Sequence, residues 1–181
     1  MIIKSIEDVK EFNLSSEIPF LIYRGQTNTD WPLVPKLFRE IPNIQNSARF
    51  ELACFRPYLN NRARFFINYN SPIEHLINLQ HYDGSTRLLD FTNNFYTSIF
   101  FACYDPFLNN RDKNGKVFVL HRDFFSKYYS QSFNFYYVES IKKELYRLRD
   151  ANQFYLVDPE FKNPRMKRQD GLFLMFPLRK L

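Results

Sequence analysis

The sequence predicts an α+β fold, with helices in the N-terminal half packed on a mostly antiparallel sheet. Helical periodicities cluster in the first half of the chain and short β-prone runs in the second, while one early apolar run, Pro19 to Tyr23, reads as a strand that returns to the later ones. The elements do not alternate strand and helix as a parallel, doubly wound sheet requires. No linker or internal repeat divides the 181 residues, so residues 1–181 read as one domain. A chain of that size buries about 70% of the surface its unfolded form exposes and needs no disulfide or metal to fold.

Taken in order, Ser5 with Asp8 three positions on starts a short helix over residues 6–12 that packs Val9 and Phe12. The apolar strand follows and ends at Arg24-Gly25. Trp31-Pro32-Leu33-Val34-Pro35 is too proline-rich for a helix interior and reads as an ordered loop over the core. Residues 47–69 look helical until Pro57 ends or kinks the run. Ser71 as cap, Pro72 in the first turn and Glu74 at N3 open a helix that buries Ile73, Leu76, Ile77 and Leu79. It stops at Asp83-Gly84, where Gly84 is expected to take the left-handed conformation. Thr92 or Asn93 caps the next helix, with Phe95, Ile99, Phe100 and Cys103 inward. Residues 109–115 form an exposed loop, 116–120 and 153–157 read as strands, and 171–176 as a last one. Val138, Ile141, Leu145 and Leu148 mark a helix between the first two of these.

Cys54 and Cys103 sit in apolar, helix-like surroundings without a paired motif and read as small buried hydrophobes. With charges where an export signal would carry its apolar core, and no run of the roughly 20 apolar residues that spans a bilayer, the expected setting is the cytoplasm, away from membranes. Of the net charge of +6, +5 falls in the last 21 residues, where six cations face only Asp170. A basic face of this kind suits an anionic partner such as a nucleotide, nucleic acid or an acidic protein, and equally an ordinary solvated surface.

Two polar groups stand out. Tyr23-Arg24-Gly25-Gln26 lies where a strand leaves the core. Arg24 offers a rigid fork of donors for phosphate, carboxylate or a ribose edge, and Gly25 would let a ligand approach the backbone. The competing reading is a structural ion pair of Arg24 with Asp90. His81-Tyr82-Asp83-Gly84-Ser85-Thr86-Arg87-Leu88-Leu89-Asp90 is the denser group. Leu88-Leu89 anchors it in the core, and Arg87 and Asp90, if buried, must have partners. Binding candidates are therefore Tyr23, Gly25, Gln26, His81, Tyr82, Ser85, Arg87 and Asp90, in a site that leaves Gln26 near the rim. His75 and His81 are six apart and His121 stands alone, so the helical metal pair is missing, as are a glycine-rich phosphate loop and the Gly-x-Ser-x-Gly elbow. Metallohydrolase, P-loop and serine-hydrolase chemistry are poor readings, and no metal is expected.

These pieces resemble the FRG-domain family. Tyr23-Arg24-Gly25 matches its (F/Y)RG strand, Trp31, Leu33, Pro35 and Arg39 its Trp-x-Leu-x-Pro stretch, Gln80 to Asn93 its strongest block, and Arg165 to Phe173 a C-terminal R-x-x-x-Q-x-G-x-F element. Ser85, Phe91 and Phe95 replace the family's usual Pro, Trp and Pro. A weaker resemblance links the chain to ADP-ribosyltransferases, which bind NAD in a split β-sandwich. That resemblance implies catalytic roles for Arg24 on the ribose or phosphates, Thr86 on the nicotinamide side and Gln169 on the ribose. Gln169 stands where those enzymes carry a glutamate, and a neutral amide lacks the charge that stabilises a developing oxocarbenium ion. Three readings follow: an NAD-using transferase or glycohydrolase, such as a toxin or phage-defence effector acting on a macromolecule, a non-catalytic nucleotide- or RNA-binding module, and a structural interaction domain.

Overall fold

A computed structural model of the chain describes residues 4–15, 19–43, 46–51, 53–54, 72–105, 112–127, 153–159 and 164–178. Its elements run α1 (Ile6–Ser15), β1 (Leu21–Gln26), α2 (Lys36–Glu40), α3 (Pro72–His81), β2 (Leu88–Thr92), α4 (Phe95–Cys103), β3 (Lys116–His121), β4 (Ser126–Lys127), β5 (Tyr155–Val157), α5 (Pro164–Gln169) and β6 (Gly171–Met175). The strands form one six-stranded sheet in the order β3-β1-β2-β6-β5-β4, antiparallel except for the β4–β5 pair. The fold is α+β, as expected. The expected helix through Val138 to Leu148, the Ser71 cap and the Pro57 break lie outside the described residues.

The sheet has a narrow waist. β1 pairs with β3 along its whole length, from Leu21–His121 to Gln26–Lys116, and β2 pairs with β6 along its own, from Leu88–Met175 to Thr92–Gly171. Between β1 and β2 there is a single pair, Tyr23 with Thr92. Past it the two strands part, leaving main-chain groups that must find other partners.

Apolar alternation fixes the faces. Ile22, Leu89, Phe91, Leu156, Leu172 and Leu174 make one core, joined by Leu33 and Leu120. On the other side Ile73, Leu76, Ile77 and Leu79 of α3 pack with Leu88, Val157, Met166, Phe173 and Met175. Tyr23 packs with Val9 and Phe95, its ring 5.4 Å from that of Phe95. The Trp31–Pro35 segment is an irregular loop, and its Pro35 is buried.

The inward face of α4 differs from expectation. Phe95, Ser98 and Ala102 are buried, whereas Phe100 and Cys103 are exposed. The cause is how close the helix lies to β1. A Cβ on Gly25 would fall 1.9 Å from the Ser98 carbonyl oxygen and 2.6 Å from Ala102 N, and one on Gly115 2.0 Å from the Ala102 carbonyl oxygen. Only small residues fit this contact, and the larger aromatics turn outward. Gly25 therefore admits a helix to the strand rather than a ligand to the backbone. Gly25→Ala is expected to cost more than about 2 kcal/mol, because backbone cannot yield as a rotamer can. Urea denaturation will show it, and a variant as stable as the parent would contradict the packing.

Local chemistry also differs at two ends. Asn94, not Thr92 or Asn93, caps α4, accepting from Thr97 N at 3.1 Å, while Thr92 Oγ1 accepts from Asn94 N. At the end of α3 the Asp83 N–H donates to the Gln80 carbonyl and the Gly84 N–H to the Leu79 carbonyl, a Schellman closure. Asp83 takes the left-handed position (φ 65°), and Gly84 is glycine because its Cβ would meet the Leu79 side chain at 2.6 Å. Asp170 before Gly171 behaves alike, with φ 47°.

Candidate functional site

A cavity of about 580 Å³ opens where β1 and β2 part. Arg24 to Gln26 of β1, Asp90 to Thr92 of β2 and Gly171 to Phe173 of β6 form its floor and sides. α3 adds Gln80 and His81, α2 adds Arg39, and α5 adds Arg165 and Gln169. Trp31, Phe101 and Tyr104 supply aromatic surface. Its size lies within the roughly 300–1,000 Å³ of small-molecule sites.

Arg24 bridges the split. Its NH1 donates to the Asp90 carbonyl at 2.8 Å and lies 3.9 Å from the Asp90 carboxylate. That carbonyl faces β1 where no ladder bond is available, so the guanidinium takes the place of a strand neighbour. Arg24 Nε is buried with no partner among the described residues. Burial pushes the Arg24 guanidinium below its ordinary range, the Asp90 carboxylate opposes that shift, and the nearby Arg39 charge reinforces it. Gln26 is buried, not at the rim, and among the described residues its Oε1 lacks a partner, as does His81 Nε2. Burial lowers the His81 pKa, Asp90 raises it and Arg165 lowers it further, so the ring is neutral at pH 7.

Asp90 differs from expectation in being on the surface of the wall, its side chain 60% exposed. Its Oδ2 accepts from Gln80 Nε2 at 2.9 Å. Among the other carboxylates on the wall, Asp83 is taken by Lys36, 2.6 Å away.

Several predicted residues stand elsewhere. Arg87 is not on the cavity wall. It is 2% exposed, and its Nε and NH2 donate to Glu51 Oε2 at 2.8 and 2.5 Å while its backbone N–H donates to Glu51 Oε1 at 2.9 Å. The buried pair expected of this segment is thus Arg87–Glu51, and Glu51 carries no local signal to mark it. Ser85 is buried and donates to Glu40 of α2. Thr86, 1% exposed, lies behind the wall and donates to Gln80 Oε1 at 2.5 Å. Tyr82 is exposed and does not line the cavity. Tyr23 reaches the cavity from the core, and Gln169 lines it while its carbonyl accepts from Thr92 Oγ1 at 2.5 Å. Of the three catalytic candidates, the structure brings Arg24 and Gln169 together and leaves Thr86 outside.

Gln80, Arg39, Arg165 and the aromatic wall were not singled out as site residues by sequence. Gln80 sits beside His81, and Arg39 and Arg165 within recognisable stretches, so position relative to those blocks was the available signal. The short helix α2 brings Arg39 in. It has Pro35 at its cap position without a side-chain cap bond, and it is held by Lys36 on Asp83 and Glu40 on Ser85.

The FRG domain family model matches residues 20–111. That stretch supplies Arg24, Gln26, Arg39, Gln80, His81 and Asp90, while Arg165 and Gln169 lie beyond it. No curated protein and no solved structure matches the chain. No helix among the described residues is long and apolar enough to cross a membrane.

Proposed function

We propose that this chain, which belongs to the FRG-domain family, binds a nucleotide in the cavity between β1 and β2, with NAD as the ligand to test first. The observation that carries the reading is three arginines on one cavity wall, two of which, Arg39 and Arg165, have no protein carboxylate as partner among the described residues. Arg39 lies close enough to disfavour the Arg24 charge. Like charges gathered around a concavity are relieved by an anion, and guanidinium forks fit phosphate oxygens in pairs. Trp31, Phe101 and Tyr104 in the lining suit a ligand with a flat ring. The wall also carries Asp90 and Asp105, which suits a ligand that brings hydroxyls, or a cationic ring such as nicotinamide, along with its phosphates.

Glycosyl transfer from NAD is the finer reading. It would break the bond between the ribose C1′ and the nicotinamide nitrogen, the bond electrons leaving with nicotinamide while water or a macromolecular hydroxyl or amine adds at C1′ and gives up a proton. In this arrangement Arg24, Arg39 and Arg165 hold the phosphates and Gln169 meets the ribose. Thr86 acts only through Gln80. The exposed Lys167 and Arg168 beside Arg165 extend positive potential beyond the mouth, toward an acidic target protein or nucleic acid. The two free cysteines accord with a cytoplasmic setting.

Calorimetry of the chain with NAD and with ADP tests binding. Heats that fit a single site, weakened by added salt, are expected. Absence of binding by either ligand at millimolar concentration would remove the reading. Incubation with NAD labelled in both halves then tests turnover through released nicotinamide and label on a target.

A further inference from the structure

Asp90 is aimed by a chain of hydrogen bonds whose sense is set by its two ends, a backbone N–H that only donates and a carboxylate that only accepts. The Leu88 backbone N–H donates to Thr86 Oγ1 at 3.3 Å, and a backbone amide can only donate. The Thr86 hydroxyl keeps its own proton for Gln80 Oε1, 2.5 Å away. With its oxygen held there, the Gln80 amide turns its NH2 outward, and Nε2 donates to Asp90 Oδ2 at 2.9 Å. A flipped amide would set its oxygen 2.9 Å from the Asp90 carboxylate, which only accepts, so the network runs in this sense. One oxygen of Asp90 is thereby fixed from behind the wall. The other, Oδ1, has no protein partner among the described residues and belongs to a side chain that is 60% exposed on the cavity wall.

Arg24 stands across from it, its NH1 3.9 Å from Oδ2. The wall thus sets an oriented carboxylate acceptor beside the cations that would take a phosphate. In a nucleotide the groups that follow this order are the ribose hydroxyls and the phosphate chain. A carboxylate that accepts only, with one oxygen already committed, is suited to a sugar hydroxyl and offers nothing to a carbon-bound hydrogen.

We infer that the cavity selects ribonucleotides over 2′-deoxyribonucleotides, with Asp90 Oδ1 accepting from the ribose 2′-hydroxyl and the Thr86–Gln80 pair as positioning residues behind it. The inference rests on the nucleotide reading above and adds to it the class of sugar and the group that reads it. It also gives Thr86 a role that needs no contact with ligand. A site that bonds a hydroxyl rejects the analogue lacking it, because its acceptor is left unpaired. Since Asp90 is open to water, the discrimination is a charge-assisted hydrogen bond's worth, roughly tenfold or more.

The test is calorimetry of the full chain with ADP and with 2′-deoxy-ADP. The parent is expected to bind ADP at least roughly tenfold tighter, and Asp90→Asn to bring the two affinities together. Asp90 is exposed, so this variant keeps its fold. Thr86→Val, which removes the hydroxyl link at nearly constant shape, should shrink the ratio, and Thr86→Ser should restore it. A purely structural role for Thr86 would lower both affinities alike and leave the ratio unchanged. Equal binding of both nucleotides by the parent, or a ratio unmoved in Asp90→Asn, would overturn the inference and leave the nucleotide reading in place. Binding of neither would overturn that reading and the inference with it.

Discussion

Glu51→Ala is expected to destabilise the fold by about 3–5 kcal/mol, because it removes the carboxylate that pairs with the buried Arg87 guanidinium. Both side chains are nearly inaccessible, at 2% and 3%, and the carboxylate accepts from two guanidinium nitrogens and from the Arg87 main chain. Removing it takes this acceptor from three donors at once, which is the costly case for buried polar groups. The pair as a whole is worth much less than its halves suggest, since desolvating two charges offsets most of their attraction. A double variant, Glu51→Leu with Arg87→Met, should therefore recover most of what Glu51→Ala loses. Urea midpoints measured on the three proteins separate the two effects. Glu51→Ala unfolding within about 1 kcal/mol of the parent would mean that Arg87 is not held as described. Asp90→Ala is the counterpart. Its exposed side chain lies in the range where ion pairs contribute about 0–1 kcal/mol, and the Arg24 bond to the Asp90 carbonyl survives the change.

The contrast between Glu51 and Asp90 shows what was legible in the sequence. The α+β class, α3 and the strands β1, β3, β5 and β6 were readable because each carries an apolar period or a boundary signal in its own residues. Arg24 with Asp90 was readable as a pair because both end apolar segments that a core brings together. Other features depend on partners far along the chain. Glu51 meets Arg87 across 36 positions and has nothing nearby to show it. α2 forms around Leu37, which is fully buried, and is tied down by Asp83 and Ser85 instead of a cap. α5 reads as a basic stretch because Met166 alone among its six residues faces the core. Gly25 reads as permission for a ligand until the Ser98 and Ala102 backbones are seen against it. The cavity itself follows from the parting of β1 and β2, and strand divergence has no local sequence signature.

Arg24→Ala is expected to weaken nucleotide binding on the order of 100-fold, the upper range for losing charge-assisted hydrogen bonds. Arg24 is the one cavity arginine fixed by the fold. β1 positions its backbone, the Asp90 carbonyl holds NH1, and its side chain is only 19% exposed, so an anion meets it where water screens little. Arg39 and Arg165 are exposed, and Ala at either should cost only a few-fold and vanish as salt rises. The same change at Arg24 also removes the donor that spans the β1–β2 split, so part of any loss could come from the fold. Arg24→Lys separates the contributions. It keeps the charge, but a single ammonium cannot serve the Asp90 carbonyl and a phosphate with the spread of a guanidinium fork. Its binding should fall between parent and Ala, with a salt dependence close to the parent's, while thermal melts of all three report what the split loses. Arg24→Ala that binds ADP as the parent does would place the anion elsewhere on the wall and leave Arg24 with the structural task alone. A loss shared equally by Arg24, Arg39 and Arg165 would point to diffuse attraction instead of a site organised around the parting strands.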